Sequence, residues 1–318
     1  MSNASLVSNE PYVVVIGGAN IDVCGRPANA LNMHDSNIGN VITSPGGVAR
    51  NIAENLVRLG VRTKLLSVVG ADQFGEILLT QANAAGIDVS DMVRLEGQKT
   101  STYLSVLDGA GDLLVAINDM EIVDKLDAEF LQHRLKIIKQ AAIVIADTNL
   151  SESALAYLVK SGAANPLIVD AVSITKAVRI KPHLGYVHTL KANLLEAEVL
   201  CGIKPSACGT YLEMAQWFHD SGVKRIFITL GPQGVFYSDA YDHGIVESRL
   251  KSPVINASGA GDAFVAAGAF AWVNGQEIKA TAEFAISAAN VALSHSATIN
   301  PDMSVSTVNE IRSNEYGE

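Results

Sequence analysis

Long apolar runs, paired cysteines and basic clusters are all missing from this 318-residue chain, and each absence removes a class of protein. The longest apolar stretch, Ala263–Val273, is too short to span a bilayer and follows Asp262, so no membrane partner is expected. The cysteines, Cys24, Cys201 and Cys208, are odd in number and include no C-x-x-C pair. That argues against a disulfide framework or a zinc site and for a reducing, cytoplasmic setting. Lys and Arg number 23 against 33 Asp and Glu, a formal charge of −10, and no segment concentrates the basic residues. A binder of nucleic-acid polymers needs such a concentration, whereas a pocket for one nucleoside or nucleotide does not. The histidines form no H-E-x-x-H arrangement, and Met1–Pro11 is polar without an apolar core, so no signal peptide is expected. Three nucleotide fingerprints are absent too: the G-x-x-x-x-G-K-[ST] loop, the protein-kinase H-R-D and D-F-G motifs, and a G-x-G-x-x-G after the first strand.

What remains is a glycine-rich chain, 26 Gly against 9 Pro, with 48% hydrophobic residues, a profile neither disordered nor collagen-like. Its length suggests two domains or one large α/β domain. Tyr12–Gly17, Lys64–Gly70, Ala142–Asp147, Leu167–Asp170 and Arg225–Leu230 read as strands, the apolar runs among them as buried parallel ones. Gly46–Gly60, Phe74–Gly86, Ser151–Lys160, Leu194–Cys201, Tyr211–Ser221, Ala260–Val273 and Ile278–Ser294 read as helices. Gly234–Ser238 and Ile245–Leu250 look like short edge strands. Repeated β-α units predict a mostly parallel sheet covered by helices on both faces. Thr102–Leu107 and Leu113–Asn118, joined by a Gly-rich turn, read instead as a β-hairpin, a small lid outside that sheet.

Four segments carry chemistry. In Asn256-Ala-Ser-Gly-Ala-Gly-Asp262, Gly259 and Gly261 allow a turn whose N–H groups, at a helix start, bind an anion. Asp262 at that junction is placed to take a proton from an attacking hydroxyl, which is what phosphoryl transfer asks for. A plain helix cap is the competing role. Thr229-Leu-Gly-Pro-Gln-Gly-Val235 brackets a turn between Gly231 and Gly234 that would pass under phosphates, or simply reverse the chain. Asn193 and Glu196 in Lys191-Ala-Asn-Leu-Leu-Glu196 share one helix face. They suit either a hydrated Mg²⁺ or a capping box. In Gly17-Gly-Ala-Asn-Ile-Asp22, Asp22 at a strand end would accept bonds from two sugar hydroxyls, with Gly46-Gly47 and Asn51 approaching the same sugar.

Taken in order, GGANID, PGGVARNIAENLVRLG, VVGADQFG, KANLLEAE, ITLGPQGV and NASGAGDAF resemble the ribokinase-like (PfkB) family of carbohydrate and nucleoside kinases, from about Tyr12 to Pro301. The resemblance implies one three-layer α/β/α catalytic domain over 12–301, with lid segments 38–43 and 102–118, and with 1–11 and 302–318 as terminal segments. The segments His34–Asn37, Thr102–Leu107, Ala116–Met120 and Val169–Ser173 are most similar to the family's pseudouridine-phosphorylating branch.

Carried over residue by residue, the resemblance implies that Asp262 is the base for a 5′-hydroxyl, with the Gly259, Ala260 and Gly261 N–H groups on the transferring phosphoryl. Asn193 and Glu196 organise Mg²⁺ and ATP. Thr229, Gly231 and Gly234 line the phosphates, and Asn290 is assigned to adenine. Asn20, Asp22, Gly46, Gly47 and Asn51 hold the ribose. Asn118, Asp119, Ser105 and Asp35 are candidates to read the base. Asn256 and Ala257-Ser258 stand where the family often has Asp and Thr-Thr, so a K⁺ site at Asn256 and Ser258 would rest mainly on oxygen dipoles. A homodimer is expected, because a lid has open strand edges. Two other readings stay open: a family kinase acting on ribose, adenosine or a hexose, and a non-catalytic nucleoside sensor. Asp262 beside the G-A-G turn argues against the sensor, which needs no base.

Overall fold

The computed structural model describes residues 11–162, 165–204, 210–250 and 253–317; Cys208 and most of Met1–Pro11 lie outside them. The first half of the chain supplies β1 (Val13–Ile16), β2 (Asn20–Pro27), β3 (Gly39–Gly46) and β4 (Thr63–Leu66). It also supplies β5 (Val68–Gly70), β6 (Val93–Leu95), β7 (Thr102–Leu107) and β8 (Leu113–Asp119). The second half supplies β9 (Ile143–Asp147), β10 (Leu167–Asp170), β11 (Thr189–Asn193), β12 (Arg225–Thr229), β13 (Val235–Ser238) and β14 (His243–Val246). The main sheet runs β4-β1-β9-β10-β11-β12-β13-β14. It is parallel from β4 to β12 and antiparallel at β13 and β14.

Period-two alternation along the buried strands feeds two cores. Val14 and Ile16 join the layer that holds Leu155, Leu158, Ala197, Leu200 and Phe218. Val13 and Val15 join the layer of Ile52, Leu56, Val265 and Ala269. Both faces are therefore dry, as the continuous apolar runs of the strands require. The helix Ala260–Val273 packs small residues against Ile278–Leu293, and Ala263, Ala267, Ala271, Ala282 and Ala285 let the two approach closely.

Three expected elements differ. The run Lys64–Gly70 divides into β4 and β5, because the Ser67 hydroxyl donates to the Gly17 carbonyl at 2.7 Å and turns the chain out of the main sheet. Strand β5 then pairs with β6. The second edge strand is His243–Val246, earlier than Ile245–Leu250. The last segment, expected to be terminal only, contains the helix Val305–Tyr316, capped by Ser304, whose hydroxyl accepts from the Thr307 N–H.

The lid is larger than a hairpin. It is a four-stranded sheet, β3-β2-β7-β8, in which β2 pairs antiparallel with β3 and parallel with β7. Strand β2 was not expected, and Asn20 and Asp22 lie on it rather than at the tip of β1. Its pattern is mixed (NIDVCGRP), so tertiary pairing on both edges decides its conformation.

Candidate active site

The side chains of interest gather at the carboxyl ends of the parallel strands, where open α/β sheets bind ligands. Register sets the row: Asp147 pairs with Asp170, Asp170 with Lys191, and Asn193 with Thr229. The sheet order reverses between β1 and β9, so the loops after Ile16 and Asp147 part there and leave a cleft.

The helix Ala260–Val273 starts at this row. Its N-cap is Gly259, with φ 81° and no side chain to bond the first turn. The first N–H groups of any helix lack intrahelical acceptors, so those of Ala260, Gly261 and Asp262 are left for a ligand. Gly259 must be glycine twice over, since its φ is left-handed and a Cβ would strike the Thr298 carbonyl. Gly261 has a different reason: a Cβ there would lie 2.9 Å from Lys191 Nζ. The missing side chain admits a buried ammonium beside the turn. Lys191 Nζ is 3.1 Å from Asp170 Oδ2. Burial pulls its pKa down, but Asp170, Glu196 and Asp262 outweigh that and hold it raised.

Asp262 Oδ2 accepts from Asn51 Nδ2 at 2.8 Å. Burial, and then the charge of Asp170, push the Asp262 carboxyl up to about 7; the Asn51 bond and Lys191 act against the rise. A carboxyl poised there is half-ionised near neutrality, which suits a general base. Asn51 is itself held. Arg50 Nη1 donates to Asn51 Oδ1 at 3.2 Å, Arg50 is ion-paired with Glu54, and Arg58 also binds Glu54.

The two glycines before the helix Val48–Arg58, which carries Asn51, make room for the chain itself. A Cβ at Gly46 would overlap the Asp22 carboxylate, and one at Gly47 (φ 99°) would overlap the Gly18 carbonyl. Gly46, the last residue of β3, thus seats the carboxylate of the neighbouring lid strand β2, and Gly47 seats the loop after β1. Asp22 Oδ1 accepts from Asn20 Nδ2 at 2.6 Å, and burial raises its pKa against that bond. Asp147, buried behind the cleft, accepts from the Gly18 and Ala49 N–H groups at 3.0 Å each. Burial pushes its carboxyl up to about 6, and the N–H bonds from Gly18 and Asn149 oppose the rise.

The cleft between these parts has a volume of about 220 Å³. Asn20, Gly47 and Asn51 line one wall, Tyr103, Asn118 and Met120 of the lid another, and Asn149, Val172 and Lys176 the third. Val172, a β-branched residue at φ 59°, is held by its N–H bond to Asp170 Oδ1 at 2.7 Å. Strain of that kind persists only where its surroundings fix it.

Other expected residues fall differently. Asn193 and Glu196 form the capping box: Asn193 Oδ1 accepts from the Glu196 N–H, and the Glu196 carboxylate accepts from the Asn193 N–H and amide. Burial raises the Glu196 pKa. Thr229 ends β12 beside Asn193, and Gly231 (φ 60°) turns the chain. A Cβ at Gly234 would strike the Val246 carbonyl, so this glycine serves strand packing. Asn256 Oδ1 accepts from the Ser258 N–H, and its Nδ2 donates to the Ser296 carbonyl, so the amide spans the loop. Asn290 is 2% exposed and donates to both Glu315 carboxylate oxygens. It is committed to the last helix and not presented to adenine. Asp35 is exposed and its carboxylate accepts from the Ser36 N–H; neither it nor Ser105 lines the cleft, whereas Asn118 does. Asp147, Asn149, Asp170, Lys176 and Lys191 were missed. A charged residue ending an apolar strand, as in VIAD and LIVD, was the available signal for the two aspartates.

Comparison with known proteins agrees with this geometry. The model of the "pfkB family carbohydrate kinase" matches residues 10–304. The pseudouridine kinase of Escherichia coli K12 is 44% identical over 93% of this chain and 95% of its own. A carbohydrate kinase from Agrobacterium tumefaciens superposes with TM-score 0.83 at 26% identity, covering 95% of this chain and 97% of its own. The Arabidopsis thaliana ribokinase complexed with ribose and ATP superposes with TM-score 0.83 at 21% identity, over 95% and 98% of the two chains. With an uncapped helix start, an aspartate in its first turn and a lid-walled cleft at the sheet's carboxyl edge, and with a family model matched over residues 10–304, the chain belongs to the pfkB family of carbohydrate kinases.

Proposed function

We propose that this kinase transfers the γ-phosphoryl of ATP to the 5′-hydroxyl of pseudouridine. The observation that carries the chemistry is one amide: Asn51 lines the cleft and donates to Asp262 at the uncapped helix start. It joins a site for an alcohol to a base and an anion hole. The similarity to the E. coli pseudouridine kinase over most of both chains supports the substrate.

Asp262 takes the proton of the 5′-hydroxyl as the new O–P bond forms. The bond from the γ-phosphorus to the β–γ bridging oxygen breaks, and ADP leaves. The N–H groups of Ala260 and Gly261 meet the charge on the equatorial oxygens, and the Lys191 ammonium beside Gly261 adds a buried positive charge. Asn20, Asp22 and Asn51 hold the ribose, and the lid closes to exclude water, which would otherwise compete for the phosphoryl group.

Mg²⁺ fits the donor set as a hydrated ion. Asn193 and Glu196 supply hard oxygens, but their capping box engages each other's atoms, so they would hold the ion through water while phosphates supply direct ligands. When bound it neutralises phosphate charge. K⁺ at Asn256 and Ser258 belongs to the same reading as an accessory.

The lid supports a homodimer. Its two edges, β3 and β8, are open, and Ile42, Val115 and Ile117 are exposed beside them. Among the described residues no helix is long and apolar enough to cross a membrane, and Cys24 and Cys201 are free thiols, in keeping with a reducing cytoplasm. The test of the substrate is ADP release across pseudouridine, uridine, ribose, adenosine and fructose. Pseudouridine should give the highest kcat/KM, and preferential turnover of ribose or a hexose would sink the assignment.

A further inference from the structure

The third wall of the cleft takes no part in the phosphoryl chemistry, yet it is held more firmly than a loop needs to be. Asn149 follows β9 at the point where the sheet order reverses. Its backbone N–H donates to Asp147 Oδ1 at 2.9 Å. Arg179 Nη1 reaches the carbonyls of Thr148, Asn149 and Leu150 at 3.1, 2.9 and 3.3 Å. The side chain is fixed as well: Asn149 Oδ1 accepts from Lys176 Nζ at 2.6 Å.

An ammonium group only donates, so this bond sets the direction of the amide. The oxygen is taken by Lys176 and the NH₂ group points away. Nδ2 lies against Gly18 at the cleft wall, where a Cβ on Gly18 would sit 3.2 Å from it. The same side chain interacts with the Asp147 carboxylate and lines the cleft, so one amide N–H remains for a ligand there. A donor held in this way selects an acceptor. Uracil offers two carbonyl oxygens, cytosine replaces one of them with an amino group, and ribose without a base offers neither.

We propose that Asn149 is a specificity-determining residue that donates its amide N–H to the base carbonyl opposite the glycosidic bond, the one cytosine replaces with an amino group, with Lys176 as the positioning residue that sets the amide's direction. The proposal rests on the nucleoside-kinase reading above and adds to it the base edge that is read. Asn118 and Tyr103 of the lid face the same cleft and are available to the rest of the ring.

The test is steady-state kinetics of the full chain with pseudouridine, uridine and cytidine, with thermal melting and the KM for ATP as controls. The wild type should favour the two carbonyl-rich bases over cytidine. Asn149→Asp, which replaces the donor with an acceptor, should lower kcat/KM for pseudouridine and uridine about 10-fold to 10²-fold, chiefly through KM, and spare cytidine. Asn149→Ala, without the added charge, should give the same sign. Lys176→Met should give a smaller loss of the same pattern, and Lys176→Arg should restore selectivity. Equal losses on all three nucleosides, or none, would overturn the proposal. If the wild type prefers uridine to pseudouridine and the Asn149 variants still erase the uridine-over-cytidine preference, only the pseudouridine assignment fails. A wild type that phosphorylates ribose better than any nucleoside overturns both.

Discussion

Ile145 in β9 and Ile117 in β8 are both strand isoleucines, yet the first is fully buried and the second is 60% exposed. The same contrast runs through their surroundings. Asp147, Asp170 and Lys191 at the sheet's carboxyl edge are buried or nearly so and each is bonded, Asp170 to Lys191 and Asp147 to backbone N–H groups, whereas every residue of β8 is exposed. The difference follows from what each region is asked to do. Stabilising charge in a transition state needs fixed dipoles and ions in a low dielectric, set before the substrate arrives. If the small sheet closes over the ligand as proposed, it cannot commit its surface to permanent contacts with its own domain. In the proposed homodimer its exposed apolar strands would meet a second copy.

That contrast predicts how each region breaks. Asp262→Asn should cut kcat at least ~10²-fold on every nucleoside, with little change in nucleoside binding measured by calorimetry. Substrate-dependent losses would mean that the sheet edge also selects. A paired lid change, Ile42→Asp with Ile117→Asp, should turn a dimer into a monomer in light scattering and raise the nucleoside KM about 10-fold, with kcat less affected. The raised KM is what a less well ordered lid would cost, at about 1.4 kcal/mol. A dimer that survives the change would place the interface elsewhere. The smallest effect on catalysis is expected at Asn290. Asn290→Ala removes two N–H bonds to Glu315 and should cost about 1–3 kcal/mol of stability in denaturant titrations, with the KM for ATP unchanged. A raised KM for ATP would return Asn290 to the adenine site.

Most of the main sheet was legible because buried parallel strands carry an unmistakable pattern: VVVI, VIAD and LIVD are apolar runs that end in a glycine or an aspartate at the ligand edge, whereas the inner strand β11, TLKAN, mixes polar and apolar residues and was not read. The helix Leu194–Cys201 and the helix Ala260–Val273 follow their sequence signals to the residue. Strand β2 was not legible, because Asn20, Asp22 and Arg26 interrupt its apolar residues and one of its partners, β7, lies far along the chain. The glycines were legible as special positions but not as to what they admit: Gly46 admits Asp22, Gly234 admits a neighbouring strand, and Gly261 admits Lys191. Asn149 and Lys176 carried no motif, since their meaning lies in a bond across 27 residues.

The most direct test of the central claim, that Asp262 at the uncapped helix start is the base, is the pH dependence of kcat/KM. With the carboxyl near 7, protonation at lower pH removes the base. Log kcat/KM should therefore rise with unit slope up to about pH 7 and level above it, and Asp262→Asn should lack that limb. A wild-type profile that stays flat down to pH 5, or an unchanged limb in Asp262→Asn, would contradict the account.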